Sequence, residues 1–146
     1  MHIDHKNKRV MDAGCGTAIL SVMACKLGAR EVEAFDIDEW SVINGKENIE
    51  INGCPAINIQ QGTIKQVKLT GKFDIILANI NKNVLLDEIA IYSSYLNEKG
   101  LLVLSGFYTH DIPDLLKKAS ENRLTEVTRD ERETWAALTL QLSYPP

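Results

Sequence analysis

The sequence lacks the long apolar runs of membrane proteins and secretory signals. Its longest candidates, residues 17–25 and 73–80, are far shorter than the roughly 20 residues that span a bilayer. The first six residues, MHIDHK, contain no apolar segment of the kind that a signal peptide carries. These absences predict a soluble, cytoplasmic protein without a membrane partner.

Cysteine and histidine are scarce and have no ligand spacing. The three cysteines include no CxxC pair, and their odd number predicts reduced structural thiols. The three histidines, His2, His5 and His110, are not spaced as metal ligands and are predicted to be surface residues. The sequence therefore predicts no metal site.

A large excess of one charge is also absent, since 16 Lys+Arg stand against 20 Asp+Glu for a net charge of −4. This balance gives no long-range attraction to nucleic acid, and no direct nucleic-acid binding is predicted. The composition, 45% hydrophobic and 25% charged, is typical of globular proteins, and no linker or repeat interrupts the chain. We expect residues 1–146 to form a single domain.

Strand and helix patterns alternate along most of the chain. Strands are predicted over residues 9–13, 31–37, 56–60, 73–78, 101–105, 124–129 and 135–142, and helices over 18–27, 38–51, 83–96 and 111–121. The last two strands follow each other without a helix. The pattern predicts an α/β fold, a doubly wound Rossmann-like sheet of seven strands, mainly parallel with an antiparallel edge strand.

Polar residues stand where the predicted helices begin. Thr17, Asp38 and Asp111 are predicted N-caps, and Pro113 falls in the first turn of the last helix. Asn81 fits either the turn that ends a strand or the start of the next helix.

The segment VMDAGCGTA, residues 10–18, joins the first strand to a helix through two glycines. Glycines at such a turn let backbone N–H groups approach a ligand, because no Cβ blocks the way. Ile19 stands where a dinucleotide-binding loop has its third glycine. The loop alone is compatible with a simple packing turn, but it also suits a nucleotide-like ligand without a pyrophosphate.

Asp36 ends the second strand, 20 residues after Gly16. A carboxylate at this position can accept both hydroxyls of a ribose, whereas Asp38 is better placed as an N-cap. By itself Asp36 is equally well read as a solvated strand end. The combination of the glycine loop and Asp36, in this order, favours a nucleotide site.

Asn79 follows the continuously apolar strand FDIILA. Its amide oxygen can accept a hydrogen bond from an amine, although an amide is no general base. The alternative interpretation is an ordinary asparagine that ends a strand.

Four segments together resemble the seven-strand, class I methyltransferases that use S-adenosylmethionine: VMDAGCGTAILS, AFDIDE, QQGTI and FDIILANIN. The run from DAGCGTAILS through ANIN to GLLVLSGF is similar to the catalytic domain of the bacterial ribosomal protein L11 methyltransferase family. The resemblance covers residues 9–142 and implies S-adenosyl-L-methionine as the cofactor and protein amino groups as acceptors. It implies a catalytic role for Asn79 and cofactor binding by Asp12, Gly14, Gly16, Asp36, Gly62, Thr63 and Asn79.

The sequence departs from the family in two respects. Ala18 stands where the class usually has a further glycine, which is expected to narrow the cofactor bed. The N-terminal substrate-recognition domain of family members is also absent from these 146 residues. The resemblance therefore implies an N-methyltransferase domain acting on a ribosomal protein. The alternatives are a related enzyme acting on RNA or a small molecule, and a cofactor-binding domain with little activity.

Overall fold

The computed structural model describes residues 3–143, which form seven strands, four α-helices and one short 3-10 turn. The strands are β1 (Arg9–Ala13), β2 (Glu31–Asp36), β3 (Ile57–Gln61), β4 (Phe73–Asn79), β5 (Leu96–Tyr108), β6 (Leu124–Arg132) and β7 (Trp135–Leu142). The helices are α1 (Ile19–Lys26), α2 (Glu39–Ile51), α3 (Lys82–Tyr95) and α4 (Ile112–Ser120), with the 3-10 turn at Thr109–Asp111.

The seven strands form one sheet in the order β3-β2-β1-β4-β5-β7-β6. The first five strands pair in parallel, whereas β7 is antiparallel to both β5 and β6. The predicted fold class is therefore confirmed, with the antiparallel strand inserted beside the edge strand.

Consecutive residues of the central strands contribute to opposite faces of the sheet. In β1, Val10 and Met11 are both fully buried but belong to different apolar clusters, and Ile75 and Ile76 of β4 are divided in the same way. Side chains alternate across a strand, so a strand covered on both faces is mainly apolar on both, as in residues 75–78 of β4. This explains why FDIILA has no polar alternation.

The predicted Thr17 cap is wrong. The residue before α1 is Ala18, in the left-handed region at φ 68°, and no side chain caps the helix. Thr17 contributes its carbonyl oxygen instead, which accepts a hydrogen bond from Asn48 Nδ2 at 2.9 Å. This contact ties the turn to α2, while the first N–H groups of α1 have no side-chain acceptor within residues 3–143.

The other polar residues do occupy helix starts. Asn81 is the N-cap of α3, where its Oδ1 accepts the Val84 N–H at 3.1 Å, so the second interpretation of this residue holds. Asp38 precedes α2, but its carboxylate accepts the Ser41 hydroxyl at 2.9 Å and no backbone N–H of the helix.

Asp111 also precedes its helix, α4, without capping it. Its Oδ2 accepts the backbone N–H of Tyr108 at 2.9 Å, so it stabilises the 3-10 turn before α4.

Strand β5 is longer than the predicted 101–105, because it pairs with two neighbours. Its first residue, Leu96, pairs with Phe73 of β4, and its last, Tyr108, pairs with Trp135 of β7. Such pairing depends on distant segments and leaves no local apolar signal.

The histidines differ from their predicted surface placement in one case. His5 is only 5% exposed, and its Nδ1 lies 2.9 Å from the Ile3 carbonyl oxygen, whereas His110 is exposed. His2 lies outside the described residues. Across residues 3–143, no helix is long and apolar enough to cross a membrane.

Candidate functional site

Three of the five residues from 14 to 18, in the loop between β1 and α1, have a left-handed backbone conformation. Gly14, Gly16 and Ala18 have φ values of 68°, 56° and 68°. Glycine adopts this region without penalty, whereas the Cβ of an L-residue makes it costly. The loop therefore needs glycine conformationally at two positions and carries backbone strain at Ala18.

The two glycines face different surroundings. A Cβ added to Gly14 would lie 3.0 Å from Ile80 Cγ1 and 3.3 Å from the Asn79 carbonyl oxygen. A Cβ added to Gly16 would meet nothing within 4 Å. Gly14 therefore allows the loop to pack against the end of β4, while Gly16 borders open space.

Asp36 connects the end of β2 to this loop. Its Oδ2 accepts the Gly16 N–H at 2.8 Å, and its Oδ1 accepts the Asp38 N–H at 2.9 Å. The carbonyl oxygen of Asp36 accepts the Gly62 N–H at 2.8 Å, which brings in the turn after β3. Since each carboxylate oxygen has two lone pairs, the half-buried Asp36 retains acceptor capacity on both oxygens.

A cavity of about 370 Å³ opens at the carboxyl ends of β1 to β4. Its lining residues are Gly14, Phe35, Asp36, Ile37, Gly62, Thr63, Ile64, Asn79, Ile80, Asn81, Val84 and Glu88. Ligands of doubly wound sheets bind at this edge, where the strand order reverses. Five of the seven predicted site residues, Gly14, Asp36, Gly62, Thr63 and Asn79, thus border one space.

Asp12 and Gly16 do not line the cavity. Asp12 is 1% exposed, and its Oδ2 accepts the Ser21 hydroxyl of α1 at 2.6 Å. Burial raises the pKa of Asp12 to about 6, against the lowering effect of the Ser21 hydrogen bonds. Asp12 is therefore positioned to hold the glycine loop onto α1 from inside the fold.

Asn79 ends β4 with an exposed side chain beside Gly106 of β5. A Cβ on Gly106 would lie 2.6 Å from Asn79 Oδ1 and 3.0 Å from the Ile80 backbone nitrogen. Gly106 therefore makes room for the Asn79 amide. Sequence reasoning missed this residue, because nothing in GLLVLSGF identifies the strand or side chain that Gly106 faces.

Glu88 is the second residue that sequence reasoning missed. It lines the cavity from α3, is only 6% exposed, and accepts the Tyr92 hydroxyl at 2.6 Å. A signal was present, since Glu88 lies one helical turn before Tyr92, on the stripe of α3 that is otherwise apolar.

No cluster of three or more potential metal ligands occurs within residues 3–143. Near the glycine loop, burial raises the pKa of the Cys15 thiol to about 12, so this cysteine remains a thiol at neutral pH. The cavity is instead lined by two separate carboxylates, Asp36 and Glu88, together with amides, backbone groups and apolar side chains.

A comparison with known protein families shows to which family the chain belongs. The family model for ribosomal protein L11 methyltransferase (PrmA) matches residues 2–143. The chain belongs to this family. Members of the L11 methyltransferase family resemble it over nearly its whole length.

The ribosomal protein L11 methyltransferase of Bacteroides thetaiotaomicron is 44% identical over 133 residues, which are 91% of this chain and 48% of the relative. That of Porphyromonas gingivalis is 44% identical over 138 residues, 94% of this chain and 48% of the relative. The chain thus spans about half the length of the curated relatives it matches.

A solved structure in the L11 methyltransferase family has the same fold. The crystal structure of ribosomal protein L11 methylase from Lactobacillus delbrueckii subsp. bulgaricus is similar to this chain with a TM-score of 0.88 and 34% identity. The match covers 95% of this chain and 72% of that one.

Proposed function

We propose that this chain binds S-adenosylmethionine in the cavity and methylates amino groups of a ribosomal protein, the substrate for which its relatives are named. The main support is the convergence of Asp36, the turn at Gly62 and Thr63, and Asn79 on one cavity. Membership in the family gives this convergence its chemical interpretation.

The residues present fit this cofactor. The cavity volume of about 370 Å³ falls within the range of about 300–1,000 Å³ of small-molecule sites. Gly16 leaves open the direction that a side chain would fill, so its backbone is accessible to a ligand. Asp36 supplies a carboxylate whose remaining lone pairs suit a pair of hydroxyl donors.

Each residue then has a distinct role in binding. Asp36 accepts the ribose hydroxyls, while Gly14 and Gly16 offer backbone atoms along the carboxypropyl side. Gly62 and Thr63 border the base. Asp12 contributes indirectly, because its hydrogen bond with Ser21 holds the loop in position.

Catalysis by this chain is a matter of positioning and desolvation. When bound, S-adenosylmethionine supplies a methyl group that is electrophilic because it is attached to a sulfonium. The Asn79 amide oxygen accepts an N–H of the acceptor amine and so orients its lone pair. Since an amide does not take up a proton at neutral pH, the amine has to arrive unprotonated, and the apolar Ile80 and Val84 at the cavity make the surroundings less favourable for a charged ammonium.

The decisive experiment is a calorimetric titration with S-adenosylhomocysteine, followed by transfer of a labelled methyl group to ribosomal protein L11. Ribosomal RNA and small amines serve as alternative acceptors. We expect saturable binding, labelling of the protein only, and loss of labelling with retained binding in Asn79→Ala.

Three results would contradict this proposal in different ways. Absence of binding would remove the nucleotide site itself. Labelling of RNA or a small amine in place of the protein would change the acceptor class. Binding without transfer to any acceptor would leave a cofactor-binding domain that does not turn over.

A further inference from the structure

Glu88 is a buried carboxylate to which the proposed reaction gives no role. It lies on α3 among the fully buried Leu85, Ile89 and Tyr92 and is itself only 6% exposed. Burying a carboxylate among apolar side chains costs free energy unless its acceptors are used. Glu88 nevertheless borders the cavity, which points to a ligand group as one of its partners.

Tyr92 fixes the orientation of Glu88. Its hydroxyl donates to Glu88 Oε1 at 2.6 Å, one helical turn away. Burial, and then Glu88 itself, raise the pKa of Tyr92, so the phenol stays protonated and remains a donor. Within residues 3–143, no group donates a hydrogen bond to the other oxygen, Oε2, and Oε2 is not one of the fully enclosed unpaired atoms, so it is open to the cavity.

Glu88 lies near the turn after β3. Lys65 Nζ, from that turn, is 2.9 Å from Asp87 Oδ2 on α3, in an exposed ion pair that contributes little to stability. The contact shows that this part of α3 is beside the segment that contains Thr63 and Ile64, which line the cavity with Glu88. Glu88 lies about two helical turns from Asn81, the start of α3, and therefore away from Asn79 and the reacting end.

The cavity also offers apolar side chains that suit a flat ring. Phe35, Ile37, Ile64 and Val84 contribute these side chains to the space that Glu88 borders. A planar heterocycle would contact these groups with its faces and present its polar edge to Glu88, while Asp36 is left for the ribose.

We propose that Glu88 accepts a hydrogen bond from the exocyclic amine of the cofactor's adenine and selects a 6-aminopurine over a 6-oxopurine. This inference rests on the proposed function, because it takes the ligand to be an adenosyl compound. A carboxylate offers acceptors only, so it pairs with the amine of adenine and opposes the carbonyl oxygen of hypoxanthine. A site built around such a bond rejects the analogue that lacks the donor, because a buried acceptor is then left unpaired.

The test compares the affinities of S-adenosylhomocysteine and S-inosylhomocysteine by calorimetry. We expect the wild-type chain to prefer the adenosyl compound by about 10- to 100-fold, the range of a hydrogen bond to a charged group. Glu88→Gln, which can donate to a 6-oxo group, should reduce this preference at least about tenfold or reverse it. Tyr92→Phe, which leaves Glu88 unoriented, should reduce it by a smaller factor.

Asp87→Asn is the matched control, since it makes the same chemical change at the adjacent, exposed carboxylate. It should leave the preference at its wild-type value. A Glu88→Gln or Tyr92→Phe chain that is folded by circular dichroism and keeps the wild-type ratio would overturn the assignment of Glu88. Failure of the wild-type chain to bind S-adenosylhomocysteine would instead overturn the proposed function, and this inference with it.

Discussion

The carboxylate of Asp36 accepts the backbone N–H of Gly16 at 2.8 Å, across 20 residues of sequence. One side chain thus joins the end of β2 to the glycine loop and also faces the cavity. The proposed function therefore predicts that the stability of the loop and the affinity for the cofactor depend on the same group.

We expect Asp36→Ala to weaken S-adenosylhomocysteine binding at least about tenfold, because hydrogen bonds to a charged acceptor contribute about 1.5–3 kcal/mol. The free energy of unfolding should fall by about 1–3 kcal/mol, since two backbone N–H groups lose their acceptor, while the fold persists. Asp38→Ala, the control, makes the same charge change two residues away and should retain affinity. Unchanged titration of Asp36→Ala would remove Asp36 from the site.

Gly16→Val tests whether the loop approaches a ligand. A side chain at Gly16 would enter open space, so we expect loss of cofactor binding with the far-UV spectrum retained. Gly53→Val is matched in strain, with φ of 62° against 56°, and likewise meets nothing within 4 Å, but Gly53 follows the end of α2 and lies outside the loop between β1 and α1. Equal affinities of the two variants would mean that the loop is only a packing turn.

Ala18 and Gly14 share a φ of 68°, but we expect Ala18→Gly to change stability little and Gly14→Ala to lower it clearly. In Ala18→Gly, relief of about 1–2 kcal/mol of left-handed strain offsets a lost buried methyl of about 0.8 kcal/mol. We expect chemical denaturation to give a stability within about 1 kcal/mol of wild type. Gly14→Ala should be at least about 2 kcal/mol less stable, because its Cβ would also press on Ile80 and Asn79. Similar losses in both would contradict this account of the loop.

Asp12 should make stability depend on pH. Its pKa is raised from 3.8 to about 6, so the folded chain retains a proton that the unfolded chain has lost. The contribution of Asp12 therefore becomes unfavourable as pH rises from 3.8 through about 6, by about 3 kcal/mol in full at 1.36 kcal/mol per unit. We expect the stability of Asp12→Asn relative to wild type to be greater at pH 8 than at pH 4, measured by urea denaturation. If the stability difference between Asp12→Asn and wild type does not vary with pH, the pKa of Asp12 is not raised in the folded chain.

Local patterns were sufficient to predict the elements that surround the site. The mainly apolar run FDIILA predicted a central strand, because a strand covered on both faces lacks a regular alternation of polar residues. The position of Asp36 at a strand end predicted its proximity to the glycine loop, since parallel strands bring their carboxyl ends to one edge.

Local sequence patterns could not predict contacts between segments that are distant in the chain. The Asn48 side chain holds the Thr17 carbonyl, so the start of α1 differs from its local capping signal. Gly106 faces Asn79 only because β5 pairs with β4 in one register. Glu88 was the exception, since a single acid on an apolar helical stripe is visible in the sequence.

Because β4 pairs with β1 on the side away from β2, contacts at this point join residues 65 positions apart, as where the Arg9 backbone N–H donates to Asp74 Oδ2. Closing a loop of this length costs chain entropy. Contacts between such distant residues are therefore expected to form later in folding than helices and short hairpins. A chain leaving the ribosome therefore has its glycine loop and Asp36 long before Asn79 arrives beside them. Under the proposed function, the cofactor site is complete only when the fourth strand docks, which would make ligand binding a reporter of that folding step.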